Sequence, residues 1–215
     1  MKQVETGSAI SYGWESVKKN FWYFIGLAAL YVAITSIPST GKDDTAVLNF
    51  FGFIISAYLS AGMLHLVLSY IDGKTLPLSD LFTQTKYFWR VLGAMVLVFL
   101  IVAAGFILFI VPGIIWGLRY QFVLNLIVDK DMDISEAMHK SAELTKGVMW
   151  QLLVFNLAVA GVTILGALVL GVGILVAIPV TWLADVYVYR HLLKATNETN
   201  KTKEVKEEKP EEEEK

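Results

Sequence analysis

Long apolar runs separated by short charged segments form the pattern of this chain. The hydrocarbon core of a bilayer is about 30 Å thick, and a helix of about 20 residues crosses it. Four runs approach or exceed that length: 21–37, 46–71, 91–128 and 148–190. The pattern therefore predicts an all-α membrane protein rather than a soluble domain.

The third run is too long for one straight helix. Over 91–128 a helix would measure about 57 Å, nearly twice the thickness of the hydrocarbon core. A proline inside a helix removes a hydrogen-bond donor and clashes with the preceding turn. We therefore predict that Pro112 and Gly113 form a turn between two spans, 91–111 and 113–128.

The last run repeats this arrangement. Gly171 and Gly173 predict a tight turn between spans 148–170 and 174–190, because glycine adopts the backbone conformations that such turns need. Pro179 lies within the second of these spans. The chain is then a polytopic bundle of six transmembrane helices in three hairpins.

Basic residues indicate the orientation of the bundle. The chain has 18 lysines and arginines, and Arg119 lies inside a span. Of the other 17, only Lys42 falls on the side opposite the N-terminus, so the positive-inside rule places both termini in the cytoplasm. Re-entrant hairpins at 91–128 or 148–189 would give the same distribution.

Two regions follow from this pattern. Residues 1–194 form the six-helix transmembrane domain, in the cytoplasmic (inner) membrane of a bacterium. Residues 195–215 are strongly charged, and Val205 is their only large apolar residue. That composition is typical of a disordered tail, which we place in the cytoplasm.

A short segment before each hairpin places apolar residues at helical spacing, with charges on the other face. These segments begin at Ile10-Ser11, Leu78-Ser79 and Ile134-Ser135. In the third, Asp133 and Glu136 have the spacing of a capping box. We predict three amphipathic helices on the inner leaflet, so that a unit of interfacial helix plus hairpin occurs three times.

Two charged residues, Arg119 and Asp185, lie within spans. An ionisable group there costs roughly 2.5 to 3.5 kcal/mol on insertion scales and usually faces the bundle interior. Other polar residues in the same cytoplasmic half are His65, Gln121, Asn125, Gln151 and Asn156.

Three interpretations of these residues stay open. Arg119 and Asp185 form a structural ion pair, and the amides join the helices by hydrogen bonds. Alternatively, the same groups line a polar cavity, open to the cytoplasm, that binds an anionic headgroup or a small solute. In the third, Arg119 extends to the interface without a partner.

Gly113 and Gly117 form a G-x-x-x-G pair on the fourth span. Such pairs allow two helices to approach closely. We interpret this pair as a packing feature within one molecule rather than as a dimerisation motif.

Signatures of enzymes and of nucleic-acid binding are missing from the sequence. Cysteine is absent, which excludes disulfides and thiolate ligands. The three histidines match no metal-binding or catalytic motif, and no phosphate-binding loop occurs. No basic stripe is interleaved with aromatic residues. We therefore predict no catalytic residue, no metal, no cofactor and no nucleic-acid partner.

The segment VPGIIWGLRYQFVLNLIVDKD, followed by SEAMHKSAELTKG, resembles a signature of bacterial six-helix membrane proteins of unassigned function. It is also similar to the membrane domain of some glycerophosphoryl diester phosphodiesterases. The resemblance implies a six-helix integral membrane fold. It implies no activity for this chain, because no soluble phosphodiesterase domain follows the helices.

The sequence predicts a non-enzymatic membrane protein. In the favoured interpretation it is a membrane partner or a lipid-interacting module, which contacts membrane lipids and other membrane or cytoplasmic proteins. The alternative is a transporter or channel for a small solute or lipid, which uses the region of Arg119 and Asp185.

Overall fold

The computed structural model describes residues 2–36, 46–74, 78–169 and 172–208, and within these ranges the fold is all-helical. The helices are α1 (Thr6–Lys19), α2 (Phe21–Ser36), α3 (Ala46–Ile71), α4 (Asp80–Thr83), α5 (Thr85–Leu108), α6 (Ile110–Tyr120), α7 (Val123–Lys130), α8 (Ile134–Thr145), α9 (Met149–Leu168) and α10 (Val172–Glu208). The all-α prediction is confirmed.

Five stretches of the described chain are long and apolar enough to cross a membrane. They are Phe51–Ile71, Thr85–Leu108, Ile110–Lys130, Met149–Leu168 and Gly173–Lys201. Helix α2 is equally apolar but has only 16 residues. The outer faces of α5 and α9 expose large apolar side chains such as Phe99 and Leu157. Such faces suit a lipid environment, since water would not solvate them.

The predicted hairpin in the third run is present, but its turn lies before Pro112. Phe109 has an extended backbone, with φ −163° and ψ 156°, and separates α5 from α6. Pro112 then occupies the first turn of α6. The N–H groups of a first turn have no partner within the helix, so proline removes no hydrogen bond there.

The two glycines of the G-x-x-x-G pair behave differently. The backbone of Gly113 approaches Gly105 and the ring of Phe106, and a methyl group at Gly113 would collide with that ring. A methyl group at Gly117 would meet nothing within 4 Å. The predicted packing role is therefore correct for Gly113 and wrong for Gly117.

The glycine turn of the last hairpin is described only in part. Gly173 lies directly against the backbone of Gly166, so the ends of α9 and α10 are in close contact. Gly171 lies outside the described residues. Helix α10 runs through Pro179, which is buried.

The predicted fourth span, 113–128, is two helices rather than one. Gln121 and Phe122 form a turn between α6 and α7. The carbonyl of Arg119, near the end of α6, accepts a hydrogen bond from the hydroxyl of Ser141 at 2.8 Å. The break is stabilised because α8 supplies a partner for a carbonyl that the helix itself leaves free.

The apolar faces of the three amphipathic helices are covered in part by protein. Ala9 and Val17 of α1, Leu81 of α4 and Leu144 of α8 are each at most 1% exposed. A capping box does not form on α8, since Asp133 makes no side-chain hydrogen bond to the helix start. Trp14 of α1 and Leu78, just before α4, belong to the predicted apolar faces and are exposed, and placement of these helices on the inner leaflet stays a prediction.

Each amphipathic helix packs on the last helix of one hairpin. Helix α4 packs on α3, and α8 packs on α6 and α7. Helix α1 packs on α10, the last helix of all, and so closes the arrangement into a ring. The contacts are close: a methyl group at Gly13 would collide with the carbonyl of Val180, and one at Gly62 with the carbonyl of Leu81.

The prediction of a disordered tail from residue 195 is wrong as far as residue 208, because α10 continues to Glu208. Thr196 is buried, and the amide of Asn200 donates to the carboxylate of Glu143 on α8 at 2.8 Å. These contacts hold the start of the segment against the rest of the protein, although the segment has few apolar residues to bury. Residues 209–215 lie outside the described part.

Candidate functional site

A cavity of about 210 Å³ lies within the bundle, between α2, α3, α7, α10 and the α6–α7 turn. Its lining combines an apolar wall with a cluster of polar groups. The lining residues are Tyr31, Ser60, Met63, Leu64, Val67, Gln121, Leu124, Asn125, Trp182, Asp185 and Val186. Three of the residues that the sequence proposed for a polar site meet here: Gln121, Asn125 and Asp185.

Asp185 provides the charge of the cavity. Its Oδ2 accepts a hydrogen bond from Nδ2 of Asn125 at 3.5 Å, across the contact between α10 and α7. Asn125 is buried, with 4% of its surface exposed. A long, single hydrogen bond compensates only in part for the removal of a carboxyl group from water.

Gln121 lines the cavity together with Leu124 and Asn125, at the i, i+3, i+4 spacing that places residues on one helix face. Its Oε1 accepts a hydrogen bond from Nδ2 of Asn156 on α9 at 2.9 Å. Asn156 also donates to the carbonyl of Leu152 at 2.8 Å. The Nε2 of Gln121 is buried without a partner. Asn156 thus supports the site from outside by orienting the Gln121 amide.

The predicted pair of Arg119 and Asp185 does not form. Arg119 is exposed, and its guanidinium lies 6.0 Å from the ring centre of Tyr120. None of the ion pairs among the described residues includes Arg119 or Asp185. Arg119 and Asn125 are six residues apart, which places them about 120° apart around a helix, so they do not share a face.

His65 is also outside the site. It lies on α3 next to the cavity residue Leu64, is partly buried, and is not part of the lining. The surrounding sequence is apolar on all sides of α3, so it did not show which face of the helix His65 occupies.

Sequence reasoning missed Ser60, Tyr31 and Trp182 as cavity residues. Ser60 carried a weak signal, since it is one of few hydroxyls in an apolar span. The two aromatic residues carried none, because aromatic side chains are common throughout such spans. In the structure their rings meet edge to face, with centroids 5.1 Å apart.

Three hairpins are joined at one end by Arg190 of α10. Its guanidinium donates to Asp72, just after α3, at 2.7 Å and to Asp129, near the end of α7, at 2.8 Å. The hydroxyl of Tyr189 donates to the same oxygen of Asp129 at 2.8 Å. Each hairpin contributes at least one residue to this network, which is separate from the cavity.

A second ionic cluster fixes the connection between α7 and α8. Asp131 accepts hydrogen bonds from Lys86 and from Arg90, the latter at 2.8 Å. The hydrogen bond from Lys86, followed by the charge of Lys86 and the contact with Arg90, holds the pKa of Asp131 below its ordinary value. Both partners are exposed, so this cluster contributes little to stability.

Comparison with known proteins identifies relatives but no function. No family model matches the chain, and neither does any solved structure. The chain is 29% identical over 171 residues to the uncharacterized protein Rv2560 of Mycobacterium tuberculosis, and 29% identical over 175 residues to the uncharacterized protein Mb2590 of Mycobacterium bovis. Each alignment covers 78% of this chain and 51% of the relative. The chain thus spans about half the length of the curated relatives it matches.

Proposed function

We propose that this protein is a non-enzymatic, multi-pass membrane protein that binds a small solute or a lipid group inside its helix bundle. The cavity around Asp185 carries this proposal. It combines an ionisable group and two amides with an apolar wall, as ligand sites in proteins generally do.

The membrane arrangement of this proposal has six crossings, with both termini in the cytoplasm and the protein in the inner membrane. Helix α2 makes the first crossing by tilting little or by thinning the bilayer locally. Trp22, Trp89 and Trp150 support the orientation. All three are exposed near the start of a hairpin, next to the basic segments, where an interfacial belt of aromatic residues belongs.

The orientation can be tested by labelling single cysteines, because the chain has none of its own. With a membrane-impermeant maleimide on intact bacterial cells, we expect Lys42→Cys to be labelled from outside. Lys146→Cys should react only after the cells are permeabilised. Labelling of Lys146→Cys in intact cells, or protection of Lys42→Cys, would contradict the proposed topology.

Native mass spectrometry of gently extracted protein tests the binding function. We expect a bound small molecule or lipid in the spectrum of the unmodified protein. Ser60→Leu, which places a larger apolar side chain at the cavity wall, should remove the bound mass. Thr163→Leu is the matched control, since Thr163 lies exposed on α9 and, like Ser60, bonds to the carbonyl four residues earlier.

Two results would contradict a binding cavity. One is a spectrum of the unmodified protein without any bound mass. The other is a bound mass that persists in Ser60→Leu as in Thr163→Leu, which would place the ligand on the outer surface of the bundle.

A further inference from the structure

The polar part of the cavity offers a negative charge and hydrogen-bond acceptors. Asp185 is an acid, and Asn125 contributes an amide beside it. The hydroxyl of Ser60 donates to the carbonyl of Ser56 at 2.7 Å, so its oxygen is left with lone pairs to accept. The unpaired nitrogen of Gln121 is itself fully buried. The charged group that a ligand meets in this lining is therefore a carboxylate, which accepts hydrogen bonds.

None of the described residues supplies a cation to this site. No lysine, arginine or histidine is among the lining residues. Arg190, on the same helix as Asp185, is engaged by Asp72 and Asp129. Arg119 is exposed on another face. An anionic ligand would consequently place a second negative group beside Asp185 without compensation, which is costly in a site of low dielectric constant.

The apolar part of the cavity also suits a cation, in particular one with an apolar portion. Trp182 and Tyr31 present aromatic rings, and faces of such rings attract cations. Methionine, leucine and valine side chains complete the wall. A volume of about 210 Å³ corresponds to roughly seven water molecules at their share of liquid volume, which is enough for a small organic molecule and too little for a whole lipid.

We infer that the cavity binds a small primary ammonium ion with a short apolar tail, with its ammonium group on Asp185 and its tail against Trp182 and Tyr31. This inference rests on the proposed binding function and specifies its ligand class. It reverses the sequence-based expectation of an anionic headgroup, which depended on Arg119.

Calorimetric titration of the protein in lipid nanodiscs tests the inference, with n-butylammonium as the probe and empty nanodiscs as the blank. Neutral n-butanol and anionic butyrate have similar size and serve as matched ligands. We expect butylammonium to bind more tightly than either. Asp185→Asn should weaken butylammonium binding at least about tenfold, the loss of one charge-assisted hydrogen bond, and leave butanol binding unchanged.

Two further variants keep the test decisive if Asp185→Asn does not fold. Ser60→Leu retains the carboxylate but narrows the cavity, and it should abolish binding of butylammonium. Arg119→Gln changes an exposed charge and should leave binding unchanged.

The outcomes separate this inference from the proposed function. Butanol or butyrate binding as tightly as butylammonium, with loss of binding in Ser60→Leu, would overturn the ammonium inference and support a binding cavity. Butylammonium binding that is unchanged in both Ser60→Leu and Asp185→Asn would overturn both. Loss of butylammonium binding in Arg119→Gln would overturn the assignment of the ammonium group to Asp185.

Discussion

Replacement of Arg190 by methionine is expected to lower the free energy of unfolding by about 3 kcal/mol. The side chain of Arg190 is 21% exposed and that of its partner Asp129 is 9% exposed. Methionine keeps much of the volume but removes the cation that contacts both Asp72 and Asp129, and the largely buried Asp129 then retains Lys130, at 3.3 Å, and the hydroxyl of Tyr189. Thermal unfolding in detergent, or titration with a denaturing detergent, measures the loss.

Two comparisons show that the effect comes from the network. Lys194→Met removes a cation from an exposed position one turn further along α10, and it should change stability by less than about 0.5 kcal/mol. Asp129→Asn combined with Arg190→Met should recover part of the loss, since a neutral amide needs no counterion. Equal stability of the Arg190 and Lys194 variants would show that the association of the three hairpins does not depend on the Arg190 network.

The second large effect is expected at Gly13, where α1 lies against α10. Gly13→Ala should destabilise the protein by about 2 kcal/mol, because a methyl group would collide with the carbonyl of Val180 and force two helix backbones apart. Neither backbone can move without disturbing its other contacts. Thermal unfolding in detergent measures this change as well.

Gly7→Ala is the matched control for Gly13→Ala. Both glycines lie on α1, but a methyl group at Gly7 meets nothing within 4 Å. Alanine favours a helix over glycine by up to about 1 kcal/mol, so Gly7→Ala should leave stability unchanged or raise it. A loss of similar size at both positions would mean that α1 does not pack on α10 as described.

The residues of the candidate site show how far sequence reasoning reached. It selected Gln121, Asn125 and Asp185 because a polar group in an apolar span is costly and usually faces inward. Arg119 satisfied the same criterion and lies outside. The criterion does not specify a face of the helix: Gln121 and Asn125 are four residues apart and share a face, whereas Arg119 is six residues from Asn125 and lies on another.

The amphipathic segments give a similar lesson. Their helical spacing was apparent, and α1 and α8 form where it indicates. The pattern of an apolar stripe does not specify whether lipid or protein covers it. Buried Ala9, Leu81 and Leu144 answer that question only through contacts with helices that are distant in sequence.

The sequence by itself determined that this chain is helical, that it has the apolar stretches of a multi-pass membrane protein, and that its helices pair into hairpins. These properties depend on local composition and on the spacing of apolar residues, and both can be read from short segments of the sequence. Only the tertiary structure decided the extension of α10 to Glu208, the outward position of Arg119, the junction at Arg190 and the enclosure of Asp185 in a cavity. Each of these depends on which helices meet and at which register, and that is set by close contacts between residues far apart in the sequence, such as Gly13 and Val180.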